Sequence, residues 1–387
     1  MTRSVLMFCP QFRPLIGGAE RQAEKLANTL VAAGCRVTLV TPRIDPNSPA
    51  IEESNGVRIE RFPCTDLSRR FTIPGIALIN IPVILWQFAR AVRARLKGVD
   101  VIHCHIASLQ TAGAALAGRL YAVPVLCKAA MADYKSDLGE IEKAGPSGRF
   151  VTWLIRALIP NWVATTEAVE QALVRAGVNS NYIVRIPNGV DLPEFSSQQA
   201  RRDSLHRFLY LGRLSTNTQR DVPTLICAFN RLAARHPDIE LAVVGGGDLL
   251  EETRALADTC EAGDRIQIPG FDHSDKWLAW ADCFILPSRR EGLSNALLEA
   301  MAAGLPCIAN DIPPNREVLA NGAAGVLVPV GDEERLFEAM QRMINDTDHA
   351  KAMRAAALSR VQSCYGIEAV AARYIVLYED LIRCSVQ

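Results

Sequence analysis

The chain has 387 residues, of which 49% are hydrophobic and 22% are charged, and its formal net charge at pH 7 is +0. This length exceeds one ordinary hydrophobic core and predicts two domains of about 150–200 residues each. A neutral chain has no strong overall field that would attract nucleic acid or anionic lipid. We therefore predict no nucleic-acid partner, and any membrane attraction must come from a local patch.

The 11 cysteines are scattered, without a C-x-x-C pair or a Cys/His cluster at metal-ligand spacing. Cys104, Cys127, Cys283 and Cys307 lie within apolar runs, which predicts buried thiols rather than disulfides. Unpaired cysteines of this kind indicate a reducing cytosol. The first residues, MTRSVLMFCPQF, enter a strand-like run without a signal-peptide cleavage site, so we expect a cytoplasmic protein.

Strand and helix patterns alternate along the chain, which predicts an α/β fold with parallel sheets. The first strand is SVLMFCPQF, and the helix after it carries an apolar face and stops at Gly34. That face consists of Ala23, Leu26, Ala27, Leu30 and Val31. Further strands of the first half are predicted at RVTLVTP, VRIERFP, DVIHCHI, VPVLCKA, WVATT and YIVRIPN.

The stretch 72–89 has about the minimum length of a transmembrane helix, but two prolines and an asparagine interrupt it. We favour a core helix. The segment 90–97 adds three arginines and a lysine directly after Trp86 and Phe88. Such a basic end suits a solvated helix terminus or a helix that rests on an anionic membrane surface. Peripheral membrane contact therefore stays open.

A second series of strands is predicted at HRFLYLG, IELAVVG, RIQIPGF, CFILPS, PCIAN and GVLVPV. The polar segment NGVDLPEFSSQQARRDS separates the two series and predicts a linker at 188–204. The domains would then be 1–187 and 205–369.

A helix is predicted at 295–303, where NALLEAMAA follows Ser294 and ends before Gly304. Ser294 is a typical N-cap residue, and Gly304 is a typical residue beyond a helix C-terminus. The first backbone N–H groups of a helix have no partner inside it, and the macrodipole adds positive charge there. A phosphate would therefore bind at this end. The groups concerned belong to Asn295, Ala296 and Leu297.

Two carboxylates flank this helix start, since Glu291 precedes the helix and Glu299 lies more than one turn inside it. Each carboxylate accepts two hydroxyl hydrogen bonds, so one would hold a sugar and the other a ribose on either side of a diphosphate. Two glutamates at this spacing are also common at protein surfaces. The spacing alone leaves a solvated pair as an equal alternative.

The phrase EGLSNALLEAMAAGLPCIAND resembles the E-x7-E segment of the retaining glycosyltransferases of family 4, which have the GT-B fold. Other phrases similar to that family follow its order, and the resemblance covers nearly the whole chain. They are GGAE at 17–20, PNGVD at 187–191, YLGRLS at 210–215 and VVGGGD at 243–248. The resemblance implies two Rossmann-like domains with parallel sheets that face across a cleft. It also implies that a last helix, about 370–387, returns to the first domain.

In the second domain, the resemblance implies that Arg213 binds the diphosphate of a nucleotide sugar. Arg220 stands where the family usually has a lysine, in a longer segment, with a solvated loop arginine as the alternative. Glu291 would orient the sugar and Glu299 the ribose. The other donor-binding candidates of this domain are Gly212, Gly245, Phe271, Gly292, Ser294, Asn295, Ala296 and Leu297.

In the first domain, Gly17 and Gly18 lie in a strand-to-helix loop, where the lack of a Cβ lets backbone N–H groups approach a phosphate. His103 and His105 follow a strand at the end where open α/β sheets place their ligands. We expect one of the two to be structural and predict His105 as catalytic. Lys128 replaces a histidine that many relatives use on the donor sugar, which suggests a cation near the reacting sugar.

Two further motifs carry no site in this interpretation. VVGGGDLLEE resembles a dinucleotide fingerprint but has Leu250 where the third glycine belongs. Asp346-Thr347-Asp348 spells a D-x-D, which binds a metal in other glycosyltransferases. It is distant in sequence from every other candidate, and we interpret it as a helix cap. We expect no metal and no other cofactor.

These residues predict a retaining, metal-independent glycosyltransferase that uses a nucleotide sugar, with a UDP-sugar favoured and GDP-mannose next. The acceptor would be a glycan or a polyprenyl-linked glycan of surface polysaccharide or glycoconjugate biosynthesis, bound by the first domain. Two alternatives stay open. One is a nucleotide-sugar epimerase with the GT-B fold, and the other is a non-catalytic nucleotide-sugar-binding protein.

Overall fold

The computed structural model describes residues 3–14, 17–66, 76–131, 137–143, 145–192, 205–216 and 220–386. The chain forms two compact units. One contains Met1–Gly189 and Ile367–Gln387, and the other contains Val190–Gly366. Most of the predicted linker, 193–204, lies outside the described residues.

One sheet of eight strands forms the centre of the first unit. Its strands are β1 (Ser4–Phe8), β2 (Arg36–Pro42), β3 (Ile51–Ser54), β4 (Val57–Phe62), β5 (Val101–His105), β6 (Val125–Ala129), β7 (Asn161–Ala164) and β8 (Ile183–Arg185). Their order is β3-β4-β2-β1-β5-β6-β7-β8. Every pair is parallel except β3 with β4. The sequence prediction missed β3, because IEES is short and has only one large apolar residue.

The second unit contains a six-stranded parallel sheet. Its strands are β9 (Arg207–Leu211), β10 (Glu240–Val244), β11 (Ile266–Gly270), β12 (Cys283–Leu286), β13 (Cys307–Asn310) and β14 (Val326–Val328). These are the six strands that the sequence predicts. Their order is β11-β10-β9-β12-β13-β14. All neighbouring strands are parallel, and the order in which the chain adds strands to the sheet reverses between β9 and β12. This is the doubly wound arrangement of nucleotide-binding sheets.

Helices cover both faces of each sheet. In the first unit they are α1 (Gly18–Ala32), α2 (Ile76–Arg93), α3 (Leu109–Leu120), α4 (Asp137–Glu142), α5 (Pro146–Leu158) and α6 (Glu167–Arg175). In the second unit they are α7 (Val222–Ala233), α8 (Leu250–Asp258), α9 (Ser274–Trp280), α10 (Asn295–Ala302), α11 (Pro313–Val318), α12 (Glu333–Asn345) and α13 (Thr347–Cys364). The last helix, α14 (Ile367–Val386), belongs to the first unit. Short 3-10 turns occur at Ser180–Tyr182, Gly263–Arg265 and Ala320–Gly322.

The first sheet has a separate hydrophobic core on each face. One core includes α2, α3 and α5, and the other includes α1 and α14. The predicted apolar face of α1 is buried except for Val31, which is half-buried. In α2, Ile81, Ile84 and Phe88 are buried, which confirms a core helix over that part of 72–89. None of the helices in the described part of the chain has the length and apolar content that crossing a bilayer requires.

Two smaller predictions are confirmed by the structure. All eleven cysteines are free, and Cys104, Cys127, Cys283 and Cys307 are buried. Asp346 caps α13, since its Oδ1 accepts a hydrogen bond from the backbone N–H of His349 at 2.9 Å.

Candidate active site

The carboxyl ends of β9 and β12 lie side by side where the strand order of the second sheet reverses. Ligands of open α/β sheets bind at this point, because the loops after the two strands turn to opposite sides and leave a crevice. Here the loop after β9 carries Arg213 and Arg220, and the loop after β12 carries Glu291 and Ser294.

The start of α10 has the geometry that the sequence predicts. Ser294 is the N-cap, and its Oγ accepts a hydrogen bond from the backbone N–H of Leu297 at 3.4 Å. At the other end Gly304 has φ +69, and the N–H of Leu305 donates to the carbonyl of Ala300 at 3.0 Å. Positive φ without a Cβ penalty explains a glycine at this position. The predicted N-cap and helix end are both confirmed.

Arg220 and Glu291 form an ion pair. Nη1 of Arg220 donates to Oε1 of Glu291 and to Oγ of Ser288, and the Ser288 hydroxyl donates to the same carboxylate oxygen at 3.0 Å. Both side chains are largely buried, at 16% and 10% exposure. An arginine held this way is not the solvated loop residue of the alternative interpretation.

Backbone pairing fixes where Arg220 lies. Arg220 and Ser288 form an isolated antiparallel bridge, and the N–H of Asp221 donates to the carbonyl of Pro287 at 2.7 Å. The Asp221 carboxylate in turn accepts a hydrogen bond from Arg289 at 2.9 Å. The two loops that carry the charged pair are therefore tied together through the main chain.

Tyr210 connects the two arginines of this site. Burial raises the pKa of Tyr210 to about 12, so its hydroxyl is neutral and can donate. It donates to the carbonyl oxygen of Arg213 at 3.4 Å. Burial lowers the pKa of Arg220, and the nearby Tyr210 raises it. Arginine has so high an intrinsic pKa that Arg220 stays charged at neutral pH.

The glycine-rich turn after β10 packs directly against the loop that carries Arg213. A Cβ on Gly245 would lie 1.8 Å from the carbonyl oxygen of Gly212, and a Cβ on Gly247 would lie 1.8 Å from that of Leu214. Both glycines also have positive φ, at 157° and 150°. These positions therefore require glycine for close backbone approach.

Side-chain hydrogen bonds hold the same loop. The Asp248 carboxylate accepts from the Thr216 hydroxyl at 2.7 Å, and hydrogen bonds from Ser215 and then Thr216 lower the pKa of Asp248 to about 2. Arg213 itself is exposed at this turn. Its side chain is thus presented to solvent from a loop that is fixed at several points.

Phe271 presents an exposed ring beside the glycine-rich turn. It follows Gly270, the last residue of β11, and is 74% exposed. Its Cβ is 3.5 Å from the point where Gly246 would carry its own Cβ. An exposed aromatic ring at the carboxyl end of a doubly wound sheet is suited to stacking on another planar ring.

Glu299 lies in the second turn of α10 and is half-buried, and Gly292 is buried in the loop before the helix. Gly212 belongs to the loop that Gly245 approaches. The second unit thus brings its predicted site residues to one edge of one sheet.

In the first unit, His103 is the structural histidine of the predicted pair. Its Nδ1 is 2.7 Å from the hydroxyl of Tyr378 in α14, and its ring stacks on those of Tyr374 and His105. It is fully buried. Burial lowers the pKa values of His103 and His105 well below their usual range, so both rings are neutral at pH 7.

His105 and Lys128 are register partners at the ends of β5 and β6. Both are buried, at 4% and 5% exposure. Burial lowers the pKa of Lys128 to about 8, while Cys9 raises it. Among the described residues, no carboxylate forms an ion pair with Lys128. Lys128 is therefore a buried cation near the carboxyl edge of the first sheet.

The backbone next to this pair is strained. Ile106 follows His105 directly and has φ +67, a conformation that β-branched residues rarely adopt. Its N–H donates to the carbonyl of Lys128 at 3.0 Å, and its carbonyl accepts from the Thr111 hydroxyl at 2.7 Å. Such strain is typical of ligand-binding sites.

The structure modifies the prediction for Gly17. Gly17 is the N-cap of α1, and its N–H donates to Oε2 of Glu20 at 2.8 Å, which is the carboxylate half of a capping box. This N–H is therefore already used within the loop. Gly18 is the first residue of α1.

The comparisons with known proteins match both units. The family model described as "Glycosyl transferase 4-like domain" matches residues 17–189, and the one described as "Glycosyl transferases group 1" matches residues 192–360. The chain belongs to the family 4, or group 1, glycosyltransferases. The resemblance inferred from the sequence is therefore confirmed.

Relatives of this family 4 chain include two mycobacterial proteins. The phosphatidyl-myo-inositol mannosyltransferase of Mycolicibacterium smegmatis is 34% identical over 205 residues, which are 51% of this chain and 52% of the relative. The chain thus matches about half the length of that relative. The GDP-mannose-dependent alpha-mannosyltransferase of Mycobacterium tuberculosis is 26% identical over 375 residues, 92% of each chain.

The structure of Anabaena HepE in complex with UDP-glucose has a similar fold. Its TM-score is 0.75 at 17% identity, over 97% of this chain and 99% of HepE. Together with the two α/β units, this likeness confirms the GT-B fold.

Sequence reasoning missed several residues of this family 4 site. Ser288 and Tyr210 were given no role from the sequence. The role of Ser288 comes from pairing with the distant Arg220, whereas Tyr210 bonds to Arg213 within the YLGRLS phrase itself. Tyr378 did have a signal. Tyr374 and Tyr378 lie one helical turn apart in the last helix, which places both rings on the same face.

Proposed function

We propose that this chain is a glycosyltransferase that moves a sugar from a nucleotide-sugar donor to a hydroxyl group of a glycan or lipid-linked acceptor. The observation that carries the proposal is the buried pair of Arg220 and Glu291 at the strand-order reversal of the second sheet, next to the N-terminus of α10. A cation, a carboxylate and a helix N-terminus are the groups that a sugar diphosphate needs.

In this proposal the second unit binds the donor. Arg213 and Arg220 hold the diphosphate with the N–H groups at the start of α10, apart from that of Leu297, which donates to Ser294. Glu291 accepts hydrogen bonds from the sugar hydroxyls. Glu299 accepts from the ribose, and Phe271 stacks on the base. Without the donor, Arg220 and Glu291 neutralise each other. The diphosphate would replace Glu291 as the counter-charge of Arg220 and release the carboxylate for the sugar.

The first unit would contribute groups that act on the leaving diphosphate and the reacting sugar, and it would bind the acceptor. Lys128 is charged below about pH 8 and would stabilise negative charge that develops on the leaving diphosphate. His105 is neutral at pH 7 and would donate or accept a hydrogen bond at the reacting sugar. The acceptor would bind to this unit.

We propose a retaining reaction without a metal ion. The acceptor hydroxyl would attack from the face that the diphosphate leaves, and the leaving phosphate would take its proton, so no separate general base is needed. Arginine and lysine would provide the positive charge on the phosphates. The tests are the anomeric configuration of the product by NMR and activity in a metal chelator. An inverted anomeric configuration in the product would contradict the retaining reaction. Loss of activity in the chelator that a divalent ion restores would contradict a reaction without a metal ion.

Two donor classes come first in a screen. UDP-sugars are the commoner donors of the family that the sequence resembles, and one relative is named as GDP-mannose-dependent. Binding of each donor is measured by thermal shift.

We also propose a cytoplasmic location and a role in surface polysaccharide or glycoconjugate biosynthesis.

Glu291→Gln tests the proposed site. Glutamine has nearly the same shape, and its oxygen can still accept from Arg220 and Ser288, so the fold should be kept. We expect transfer to fall at least about a hundredfold, because the carboxylate that orients the sugar has lost its charge. Arg231→Met is the control, since Arg231 forms an exposed ion pair with Glu333 and Glu334 outside the site. An active Glu291→Gln enzyme contradicts the assignment.

A further inference from the structure

Three helices on one face of the first sheet have an unusual charge pattern. Helices α2, α3 and α5 contain no Asp or Glu. Their inner sides share one hydrophobic core with the sheet, so their outer sides face away from it. We call the exposed residues of these helices, with the turn after α3, the basic helical face. Its exposed cations are Arg90, Arg93, Arg119 and Arg149.

The basic helical face also exposes large apolar side chains. Trp86 is 60% exposed, Leu120 69% and Trp153 54%. The others are Ile79, Tyr121 and Phe150. On α2, the exposed positions 79, 86, 90 and 93 follow helical spacing and lie along one side. Apolar side chains grouped in this way mark an interaction surface rather than scattered exposure.

Cations and aromatic rings on this face are paired. The Arg90 guanidinium lies 5.3 Å from the centre of the Trp86 ring, and that of Arg93 lies 5.4 Å from the Tyr121 ring. Phe150 and Trp153 stack with ring centres 5.8 Å apart. Tryptophan and tyrosine favour the headgroup region of a bilayer, where an adjacent arginine can reach lipid phosphates.

We propose that the basic helical face binds the surface of an anionic lipid bilayer. Charge complementarity favours this partner, because the face has cations and no carboxylate of its own, while the chain as a whole is neutral. Two nearby carboxylates are paired with cations of their own: Glu60 binds Arg58 and Arg95, and Glu140 binds Lys143. The inference does not depend on the transfer reaction. If that reaction is also correct, the face favours a lipid-linked acceptor.

The test is co-sedimentation with vesicles, without any donor or acceptor. We expect the protein to bind vesicles of phosphatidylcholine mixed with phosphatidylglycerol and not vesicles of phosphatidylcholine alone, and binding should weaken in high salt. Arg90→Gln combined with Arg149→Gln should weaken binding by more than about tenfold, since each cation near an anionic surface contributes about fivefold. The matched control is Arg335→Gln with Arg342→Gln, two exposed cations of α12.

A second variant tests the aromatic contribution. Trp86→Ser with Trp153→Ser should also weaken binding, whereas Tyr182→Ser, at an exposed tyrosine outside the face, should not. Absence of binding to the anionic vesicles overturns the proposal. So does binding that neither variant weakens. A wild-type dimer that the variants convert to monomers, in analytical ultracentrifugation, would assign the face to a second copy of the chain and also overturn it.

Discussion

Lys128 is a charged side chain whose burial should be visible in the pH dependence of stability. Burial lowers its pKa from 10.5 to about 8. Between these two values the unfolded chain binds more protons than the folded protein, so the free energy of unfolding should rise with pH. The expected rise is about 3 kcal/mol. Lys128→Met should lose this slope and be more stable than the wild type below pH 8, as measured by urea unfolding.

The same lysine should limit activity at alkaline pH. If its charge stabilises the leaving diphosphate, kcat/KM should fall as the pH rises through about 8. Lys128→Arg should move this fall to higher pH, because arginine keeps its proton. Lys128→Met should have low activity at every pH. An unchanged alkaline fall in Lys128→Met would show that another group is responsible.

At the scale of the elements, the glycine-rich turn after β10 should be sensitive to one methyl group. Gly245→Ala would place a Cβ against the carbonyl of Gly212 at a backbone conformation that alanine rarely adopts. We expect a loss of about 3 kcal/mol or more in the free energy of unfolding, together with weaker donor binding, since the loop of Arg213 must move.

Gly246→Ala is the matched control for this prediction. A Cβ there would make only an ordinary contact, 3.5 Å from Phe271. Chemical denaturation of both variants gives the comparison. Equal stability of Gly245→Ala and Gly246→Ala would contradict the role assigned to the close backbone approach.

The last helix should depend on the bond between Tyr378 and His103. Tyr378→Phe leaves the buried Nδ1 of His103 without a partner, and such an unpaired group costs about 1–3 kcal/mol. Tyr182→Phe removes a hydroxyl from an exposed tyrosine and should have little effect. Urea denaturation measures both. A stability of Tyr378→Phe equal to that of the wild type would show that the hydrogen bond does not stabilise α14 on the first unit.

Local signals predicted the elements of this chain well. The helix around α10 was predictable because Ser294 and Gly304 are strong cap residues on either side of an apolar run. The strands of the second sheet were predictable because each is a short apolar run between turn residues. Strand β3 was not, since its stability comes from antiparallel pairing with β4 rather than from its own residues.

The candidate site was predictable only in part, because its chemistry depends on pairing across the chain. Motifs identified Arg213, Glu291 and Ser294, but the partnership of Arg220 with Glu291 joins residues 71 positions apart. Likewise, no local pattern reveals that Lys128 is buried beside His105. Tertiary packing determines these features.

For the whole molecule, the family is established and the reaction is the central proposal. The two alternatives from the sequence, an epimerase and a non-catalytic binding protein, differ from a transferase in one respect. Only a transferase should need an acceptor for turnover.

The most direct test is therefore nucleotide release from a panel of UDP- and GDP-sugars, with and without glycan and lipid-linked acceptors. We expect release that depends on an acceptor with at least one donor, and loss of that release in Glu291→Gln. An epimerised donor formed without acceptor, or donor binding by thermal shift without any turnover across the panel, would contradict it.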